Sequence, residues 1–352
     1  MATYNLDHSR LDGLLDRFVS SATENAILQA LANADLLPHG RGTIGVDVES
    51  QGGAFTIPGA DHLFLDVGSS NSMTVTSQGG LVIGAGDGAN WILDQGPGGD
   101  TLVGGAGAEK LQVTQGDNVL IAGGGLNTLI GGTGHDLLIG GGSSLLEAGA
   151  GGATLFGGNY FDHAYGDDQH DGGRHRGDGG NDGHRGDGRG QGGGLWGDDG
   201  HGGDHFGQTL PMDTLVGGSG DDLIAVSHGD NVIYAGTGHD TIHAGDGADT
   251  IYGPSDPGAT QAMDTIQLGT GNTSIQGGAA GAASIYSGMH GNDTIIGSAG
   301  GQSLALYSDQ SSHGVESTTV NGGVTTITFK DHQSLSLDNV TVHFSNGDIL
   351  KV

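Results

Sequence analysis

Residues 217–252 read GGSGDDLIA (217–225), VSHGDNVIY (226–234), AGTGHDTIH (235–243) and AGDGADTIY (244–252), which are four consecutive nine-residue units. In every unit the fourth residue is Gly, the sixth is Asp or Asn, and the eighth is Ile. A fixed period of this kind is the signature of a repeat architecture, in which single units bury too little surface to fold alone. The stretch therefore predicts stacked turns of one repeating backbone.

The three fixed positions predict three different roles. An Ile on a short strand points inward while its neighbours point outward, so stacked turns would align these residues into an apolar column. Glycine supplies backbone conformations with positive φ that other residues adopt only at a cost. The carboxylate at the sixth position and the free carbonyls of the loop are hard oxygen ligands, which suit Ca²⁺.

The pattern GGxGxDxUx resembles the calcium-binding nonapeptide of the RTX (hemolysin-type) family. The resemblance implies a parallel β-roll in which two successive units make one coil, so that ligands two units apart stack on the same edge. It places Asp213, Asn231 and Asp249 on one edge, and Asp222 and Asp240 on the other. It also implies type I secretion through an uncleaved C-terminal signal, and hence a secreted protein that is extracellular or bound at the cell surface.

A first array of units runs from about residue 76 to 156, and its clearest units lie between 95 and 139. The inward positions of these units are Leu102, Leu111, Leu120, Leu129 and Leu138. The sixth positions are Asp100, Asn118 and Asp136 on one edge, with Glu109 and Asn127 on the other. Glu and Asn depart from the family's Asp and predict weaker calcium binding there. Units 76–84 and 148–156 carry Leu81 and Ala153 at this position and cannot ligate from it.

A second array is predicted over residues 208–305. The insertion GPSDPG follows Tyr252, the units resume at 259–267, and the last good match is 290–300. The candidate metal ligands of both arrays are the acidic or Asn residues Asp100, Asn118, Asp136, Asp213, Asp222, Asn231, Asp240, Asp249, Asp264 and Asp293.

The flanking segments predict caps. Apolar residues at helical spacing indicate an N-terminal helical cap over residues 1–38, expected to cover one end of the solenoid or to bind a partner. Residues 39–75 alternate as short strands without calcium ligands, and the strand-rich residues 306–352 resemble the β cap and secretion signal that close RTX rolls. The predicted fold class is mostly β: two parallel β-roll (β-solenoid) arrays of calcium-binding nonapeptides between an N-terminal helical cap and a C-terminal β cap.

Residues 157–207 separate the two arrays and are rich in Gly, Asp and His. Almost no core-forming residue occurs there, so a flexible loop is predicted. A metal-collecting tract is the alternative, since histidines alternate with aspartates, although no tetrahedral ligand spacing is visible. These histidines are His163, His170, His175, His184, His201 and His205.

Composition agrees with a thin-cored solenoid. The chain has 352 residues, 76 Gly, no Cys, 34% hydrophobic residues and a formal net charge of −31. A core shared among stacked turns needs few apolar residues. So acidic a chain would repel nucleic acid, and cations are its natural partners. No apolar run is long enough to predict membrane insertion.

The sequence contains no HExxH, GxSxG or P-loop motif of catalysis. Only about 75 residues precede the repeats, which is little room for a catalytic domain, so the chain is predicted not to be an enzyme.

The seventh and ninth positions flank the inward residue and are predicted to face solvent. Many are apolar: Val103, Val119, Ile121, Leu137 and Ile139 in the first array, and Val216, Val232, Tyr234 and Tyr252 in the second. A long apolar stripe predicts a contact surface, whereas simple strand propensity is the alternative explanation.

Together these features predict a secreted calcium-binding structural or surface protein that folds on Ca²⁺ outside the cell and self-assembles, in a matrix, a surface layer or an adhesive role. The alternative is an adhesin or a metal-scavenging module that uses residues 157–207. The expected partners are calcium ions, and either further copies of the chain or a cell-surface component.

Overall fold

The computed structural model describes residues 2–40, 42–57, 62–68, 70–76, 79–86, 88–157, 212–253, 263–269, 271–277, 283–287, 292–296, 302–305, 315–321, 324–330, 334–338, 340–343 and 349–351. Short strands dominate these residues, and two helices lie near the N-terminus, α1 (His8–Leu15) and α2 (Ser21–Asn33). Within this part of the chain, neither helix is long and apolar enough to cross a membrane.

The strands alternate between two stacked sheets as the chain winds. Sheet 1 contains β1 (Ala2–Leu6), β2 (Ile44–Glu49), β4 (His62–Asp66), β6 (Leu81–Gly84), β8 (Thr101–Val103), β10 (Val119–Ile121), β12 (Leu137–Ile139), β14 (Thr154–Phe156), β16 (Leu223–Ala225), β18 (Thr241–His243), β20 (Met263–Gln267) and β22 (Ala283–Ser287). From β2 onward these strands pair in parallel, with Leu120 between Leu102 and Leu138 in register. Two nine-residue units therefore make one turn.

Sheet 2 takes the intervening strands. They are β3 (Gly53–Thr56), β5 (Ser72–Thr76), β7 (Trp91–Asp94), β9 (Lys110–Val113), β11 (Leu126–Ile130), β13 (Ser143–Glu147), β15 (Thr214–Val216), β17 (Val232–Tyr234), β19 (Thr250–Tyr252), β21 (Ser274–Gln276), β23 (Asn292–Ile296), β25 (Val315–Asn321), β26 (Val324–Phe329) and β27 (Ser334–Asp338). Its strands are parallel up to the β23–β27 pair, after which β26 and β25 add antiparallel strands. The mostly β, parallel β-solenoid fold class is confirmed.

The two predicted arrays form one continuous solenoid. Strand β13 pairs with β15, and β14 pairs with β16, so strands from either side of residues 158–211 are direct neighbours in both sheets. The register places Leu155 beside Ile224, which continues the apolar column without a break. The strands of residues 44–76 belong to the same two sheets, so the solenoid begins well before residue 76.

The column of inward residues forms the core. Leu102, Leu111, Leu120, Leu129 and Leu138 are fully buried, as are the four Ile residues of 217–252. Each turn contributes two such side chains, one per sheet, and contacts those of the turns before and after it. The predicted inward positions are therefore correct.

A second apolar cluster lies outside the roll. Residues Leu11 and Leu15 of α1, with Ile27 and Leu31 of α2, are buried together with the outer-face residues of sheet 1. Those outer-face residues are Val46, Leu63, Leu65, Val82 and Val103. The helices thus pack against the side of sheet 1, whereas the sequence predicted that they cover its end. An apolar outer face explains this position, because burying the apolar side chains of both the helices and the sheet removes them from water.

The ends of the roll are closed by strands. Strand β1 pairs antiparallel with β2 and covers the first turn of sheet 1. At the other end, β25–β27 form an antiparallel meander, and β24 (Gln302–Ala305), β28 (Val340–His343) and β29 (Ile349–Lys351) form a small third sheet.

Glycine at the fourth position is required twice over. Gly238 has φ 135° and Gly247 has φ 133°, values that side-chain-bearing residues rarely adopt. A Cβ at either residue would also collide with the carbonyl oxygen of the fourth-position Gly one turn earlier, Gly220 or Gly229. The loops can stack at strand spacing only because this position has no side chain.

Candidate calcium sites

The sixth-position residues form two rows along opposite edges of the roll, where the loops enter the strands. Row 1, which precedes sheet 1 strands, contains Asp100, Asn118, Asp136, Ala153, Asp222, Asp240 and Asp264. Row 2, which precedes sheet 2 strands, contains Asn90, Glu109, Asn127, Ser144, Asp213, Asn231, Asp249, Thr273 and Asp293. All of these residues are buried. Row 2 therefore joins the Glu109 edge of the first array to the Asp213 edge of the second.

A hydrogen-bond ladder fixes the orientation of these side chains. In most turns the Oδ1 atom of the Asp or Asn accepts from the backbone N–H of the row residue one turn earlier. Asp222 N donates to Asp240 Oδ1 at 2.9 Å, and Asp240 N donates to Asp264 Oδ1 at 3.2 Å. In row 2, Asp213 N donates to Asn231 Oδ1 at 3.0 Å, and Asn231 N to Asp249 Oδ1 at 2.9 Å. With Oδ1 held in this way, the second terminal atom, Oδ2 of Asp or Nδ2 of Asn, is left to make other contacts.

That second atom has no hydrogen-bond donor in the turns of Asp240, Asp249 and Asp264. The Oδ2 atoms of Asp240, Asp249 and Asp264 are buried and accept no hydrogen bond. An ionised carboxylate oxygen buried without a donor is costly unless a cation compensates it. These three atoms are consequently the best candidates for direct contact with a metal ion.

In two other aspartates, the Oδ2 atom accepts a hydrogen bond from a backbone N–H of its own repeat unit. Asp136 Oδ2 accepts from Gly132 N at 2.9 Å, and Asp222 Oδ2 accepts from Gly218 N at 3.0 Å. In both cases the donor is the second residue of the same unit. Sixth-position aspartates therefore differ in their need for a cation, although their sequence contexts are alike.

The electrostatics of the three turns agree with this distinction. Burial is the main cause that raises the pKa of Asp240 to about 8, and the carboxylates of Asp264 and Asp222 raise it further. Burial raises the pKa of Asp249 and of Asp264 to about 6. A divalent cation at these oxygens would offset the effects of burial and of like-charge repulsion on the carboxylate pKa values. It would therefore favour the ionised carboxylates.

The donor set fits calcium. Ca²⁺ takes six to eight oxygen ligands in flexible geometry, from carboxylates, backbone carbonyls and water. No three His, Asp or Glu side chains converge on one point within the described residues. Any ion held by Asp240, Asp249 or Asp264 must therefore complete its shell with carbonyl oxygens of the loops and with water. Bound there, calcium would supply the positive charge that the buried carboxylates need.

The remaining predicted ligands have mixed surroundings. Asp213 Oδ1 accepts from Ser144 N at 2.6 Å, and Thr273 N donates to Asp293 Oδ1 at 2.9 Å. Asp100 N donates to Asn118 Oδ1 at 2.9 Å. A ligand role for the ten predicted residues stays a prediction, and it is best supported at Asp240, Asp249 and Asp264. Residues 158–207, which carry the predicted His-rich tract, lie outside the described residues.

Sequence reasoning missed two buried acids at strand ends, Asp66 and Asp94. Burial raises the pKa of Asp66, and burial followed by hydrogen bonding with Asp100 raises the pKa of Asp94 to about 7. The Oδ2 atoms of both accept no hydrogen bond. Asp94 is in register with Val113 of the next turn. An acid at a position where later turns carry an apolar residue is the sequence signal that could have identified it.

A further row of acids is exposed at the fifth position. Asp117, Asp221 and Asp230 accept at Oδ1 from the backbone N–H of His135, His239 and Ala248, one turn later, at 2.8–2.9 Å. Asn272 has the same role toward Asn292 N at 2.9 Å. Because these residues face solvent, they stiffen the stack without the cost of a buried charge.

The predicted apolar stripe is divided between covered and open faces. On sheet 1, Val103 is buried beneath the helices, and Ile121 packs against the same cluster. On sheet 2, Tyr234 is 41% exposed and its ring stacks on Tyr252, with centroids 4.7 Å apart. The outer face of sheet 2 is therefore the more accessible of the two.

Comparison with known families identifies the repeat. The model of the RTX calcium-binding nonapeptide repeat matches residues 94–111, 112–144, 212–238, 227–253 and 286–301. These stretches contain every predicted ligand except Asp264. No curated protein matches the chain.

Proposed function

Because this chain carries RTX calcium-binding nonapeptide repeats, which bind Ca²⁺ and are typical of extracellular proteins, we propose that it is a secreted structural protein whose folding is completed by calcium outside the cell. The role is mechanical: a stiff roll in a matrix, a surface layer or an adhesive surface. The repeat fold is a structural, calcium-binding one, and we propose no catalytic activity for it.

The observation that carries this proposal is that the buried Oδ2 atoms of Asp240, Asp249 and Asp264 accept no hydrogen bond. Stacking these turns without a cation buries charge beside charge, and the formal net charge of −31 adds repulsion along the whole chain. At low cytosolic calcium these turns would stay open, which favours export of an incompletely folded chain. Outside the cell, calcium at about millimolar levels can occupy even weak sites.

Export by the type I route is the second part of the proposal. The family resemblance supports it, with residues 306–352 as the segment that carries the signal. Co-expression with a type I transporter should place the chain in the medium, and removal of this segment should retain it in the cell. Retention of both forms, or export of both, would contradict this part alone.

The test of calcium-dependent folding is a titration followed by circular dichroism. Ca²⁺ added to the chelated protein should convert coil signal into β signal, and excess EDTA should reverse the change. Magnesium at the same concentration is the control, because it demands tighter octahedral geometry and should produce little of the effect. A chain that is equally ordered in excess EDTA would contradict the proposal.

A further inference from the structure

Asn118 is buried in row 1 and uses its amide nitrogen fully. Its Nδ2 donates to the carbonyl oxygens of Gln115 and Gly116 at 3.0 and 2.9 Å, and lies 3.1 Å from Asp136 Oδ1. The two carbonyls belong to the third and fourth residues of its own unit. The carboxylate belongs to the next turn of the same row. One amide group therefore holds together three oxygen atoms from two turns.

Asn231, in row 2 on the opposite edge, repeats this arrangement. Its Nδ2 donates to the carbonyl oxygens of His228 and Gly229 at 3.3 and 3.1 Å, and to Asp249 Oδ1 at 2.9 Å. These are again the third and fourth carbonyls of its own unit and the carboxylate of the next turn. The recurrence on both edges shows that this geometry belongs to the repeat and not to one local environment.

In the turns of Asp240, Asp249 and Asp264, the equivalent atom is a carboxylate oxygen. The ladder holds Oδ1 of Asp and Asn alike, so the other terminal atom is Nδ2 in one case and Oδ2 in the other. An amide NH₂ carries two donors, whereas an ionised carboxylate only accepts. The Oδ2 atoms accordingly accept no hydrogen bond.

We propose that the amide groups of Asn118 and Asn231 replace a calcium ion in their turns. Each amide binds the set of oxygens that would otherwise require a cation, so these turns close without metal. Calcium is then bound in aspartate turns whose Oδ2 has no donor, such as those of Asp240, Asp249 and Asp264. The Asn/Asp choice at the sixth position sets how many ions the roll binds. This inference rests on the proposed function only in taking the aspartate turns to be the calcium-binding ones.

The direct test is Asn231→Asp in the full-length chain. The substitution exchanges the amide donors for an oxygen that faces the same carbonyls, so the turn should then need an ion. Equilibrium dialysis against ⁴⁵Ca²⁺ should count about one more ion per chain than in the wild type, and urea unfolding in EDTA should show lower stability. Asn272→Asp is the matched control: it adds the same charge at an exposed position whose Oδ1 acceptor is kept, and should change neither reading.

The reverse substitution, Asp240→Asn, keeps the test decisive if the first variant folds poorly. It should bind about one ion fewer and unfold at a higher urea concentration in EDTA than the wild type does. Its control is Asp230→Asn, which removes one exposed charge and retains an Oδ1 acceptor for Ala248 N.

The outcomes separate the two proposals. An unchanged ion count in both variants, or in Asp240→Asn alone where Asn231→Asp does not fold, overturns the amide inference while leaving calcium-dependent folding intact. A wild type that binds no ion contradicts the proposed function. The amide inference is then judged by unfolding in EDTA, where equal stability of Asn231→Asp and wild type would overturn it.

Discussion

Asp240 and Asp264 occupy the same position on adjacent turns, joined by the 3.2 Å hydrogen bond from Asp240 N to Asp264 Oδ1. They are 24 residues apart, whereas Asp222 and Asp240 are 18 apart. The extra residues leave the register intact, since Ile242 pairs with Ile266. An insertion in the connecting loop can thus be accommodated while the strand and its acid remain in place.

Replacement of Asp264 by Ala should weaken both calcium binding and stability. The change removes the acceptor of Asp240 N and one of the carboxylates that neighbour Asp240, so a buried N–H is left without a partner. We expect a loss of about 1–3 kcal/mol in the free energy of unfolding in calcium, measured by urea titration. Asp230→Ala is the comparison: that carboxylate is exposed, water can take over its hydrogen bond, and the change should stay within about 0.5 kcal/mol.

The stability of the calcium-free protein should fall as pH rises. Asp240, Asp249 and Asp264 have pKa values of about 8, 6 and 6 in the folded chain, against an ordinary 3.8. Between pH 4 and 8 the folded state therefore binds more protons than the unfolded state, and each raised pKa contributes stability that is fully present below about 4 and lost by about 8. Urea midpoints in EDTA at pH 4.5, about 6 and about 8 would measure this decline.

Calcium should reverse that dependence, because the ion competes with protons for the same oxygens and binds more tightly as pH rises. Asp240→Asn should flatten the EDTA profile throughout the range from about pH 4 to about 8, and most completely above about pH 6, where Asp249 and Asp264 no longer contribute to the slope. Stability in EDTA that increases over this range, or the same slope in Asp240→Asn, would show that these carboxylates are not the controlling groups.

Ile27→Asp should detach the helices from sheet 1. The side chain of Ile27 is fully buried between α2 and the outer face, close to the position a Cβ at Gly84 would take. An unpaired carboxylate there should cost about 3 kcal/mol or more, and hydrogen exchange over residues 8–33 should accelerate while the strands remain protected. Asn25→Asp places the same charge on the exposed side of α2 and should leave exchange unchanged. Equal exchange in both variants would mean that this interface contributes little.

The nine-residue period predicted the core because a local sequence pattern determines which side chain of each unit points inward. An apolar residue every nine positions, as at Leu120 and Ile233, can be buried only if turns stack, and it recurs visibly in the sequence. The two-unit turn, and with it the placing of Asp222 and Asp240 on one edge, was implied by the resemblance to RTX repeats and not by the period itself. The role of the fourth-position glycines can also be predicted from the sequence, since stacking excludes a side chain there.

Long-range features left no such signal. No local sequence feature predicts that β14 and β16 are neighbours across residues 158–211. The repeat period does not indicate whether units that follow a long interruption continue the same stack. The helical spacing of Leu11 and Leu15 predicted a buried face but not the surface that buries it. The amide contacts of Asn118 also escaped the sequence, which predicted this residue as a calcium ligand, whereas its nitrogen donates to carbonyls of the loop.

Self-association should depend on the outer face of sheet 2, where the Tyr234–Tyr252 stack is exposed beside half-buried Val216 and Val232. The helices cover the outer face of sheet 1 from β2 to β8, and apolar surface left open elsewhere favours contact with another copy. Calcium lowers the net negative charge that otherwise keeps copies apart. Sedimentation velocity in calcium should show association that Tyr234→Ser weakens about tenfold. Gln267→Ser alters the equivalent ninth position on sheet 1 and should have no effect, so equal weakening by both variants, or by neither, would rule out sheet 2 as the contact surface.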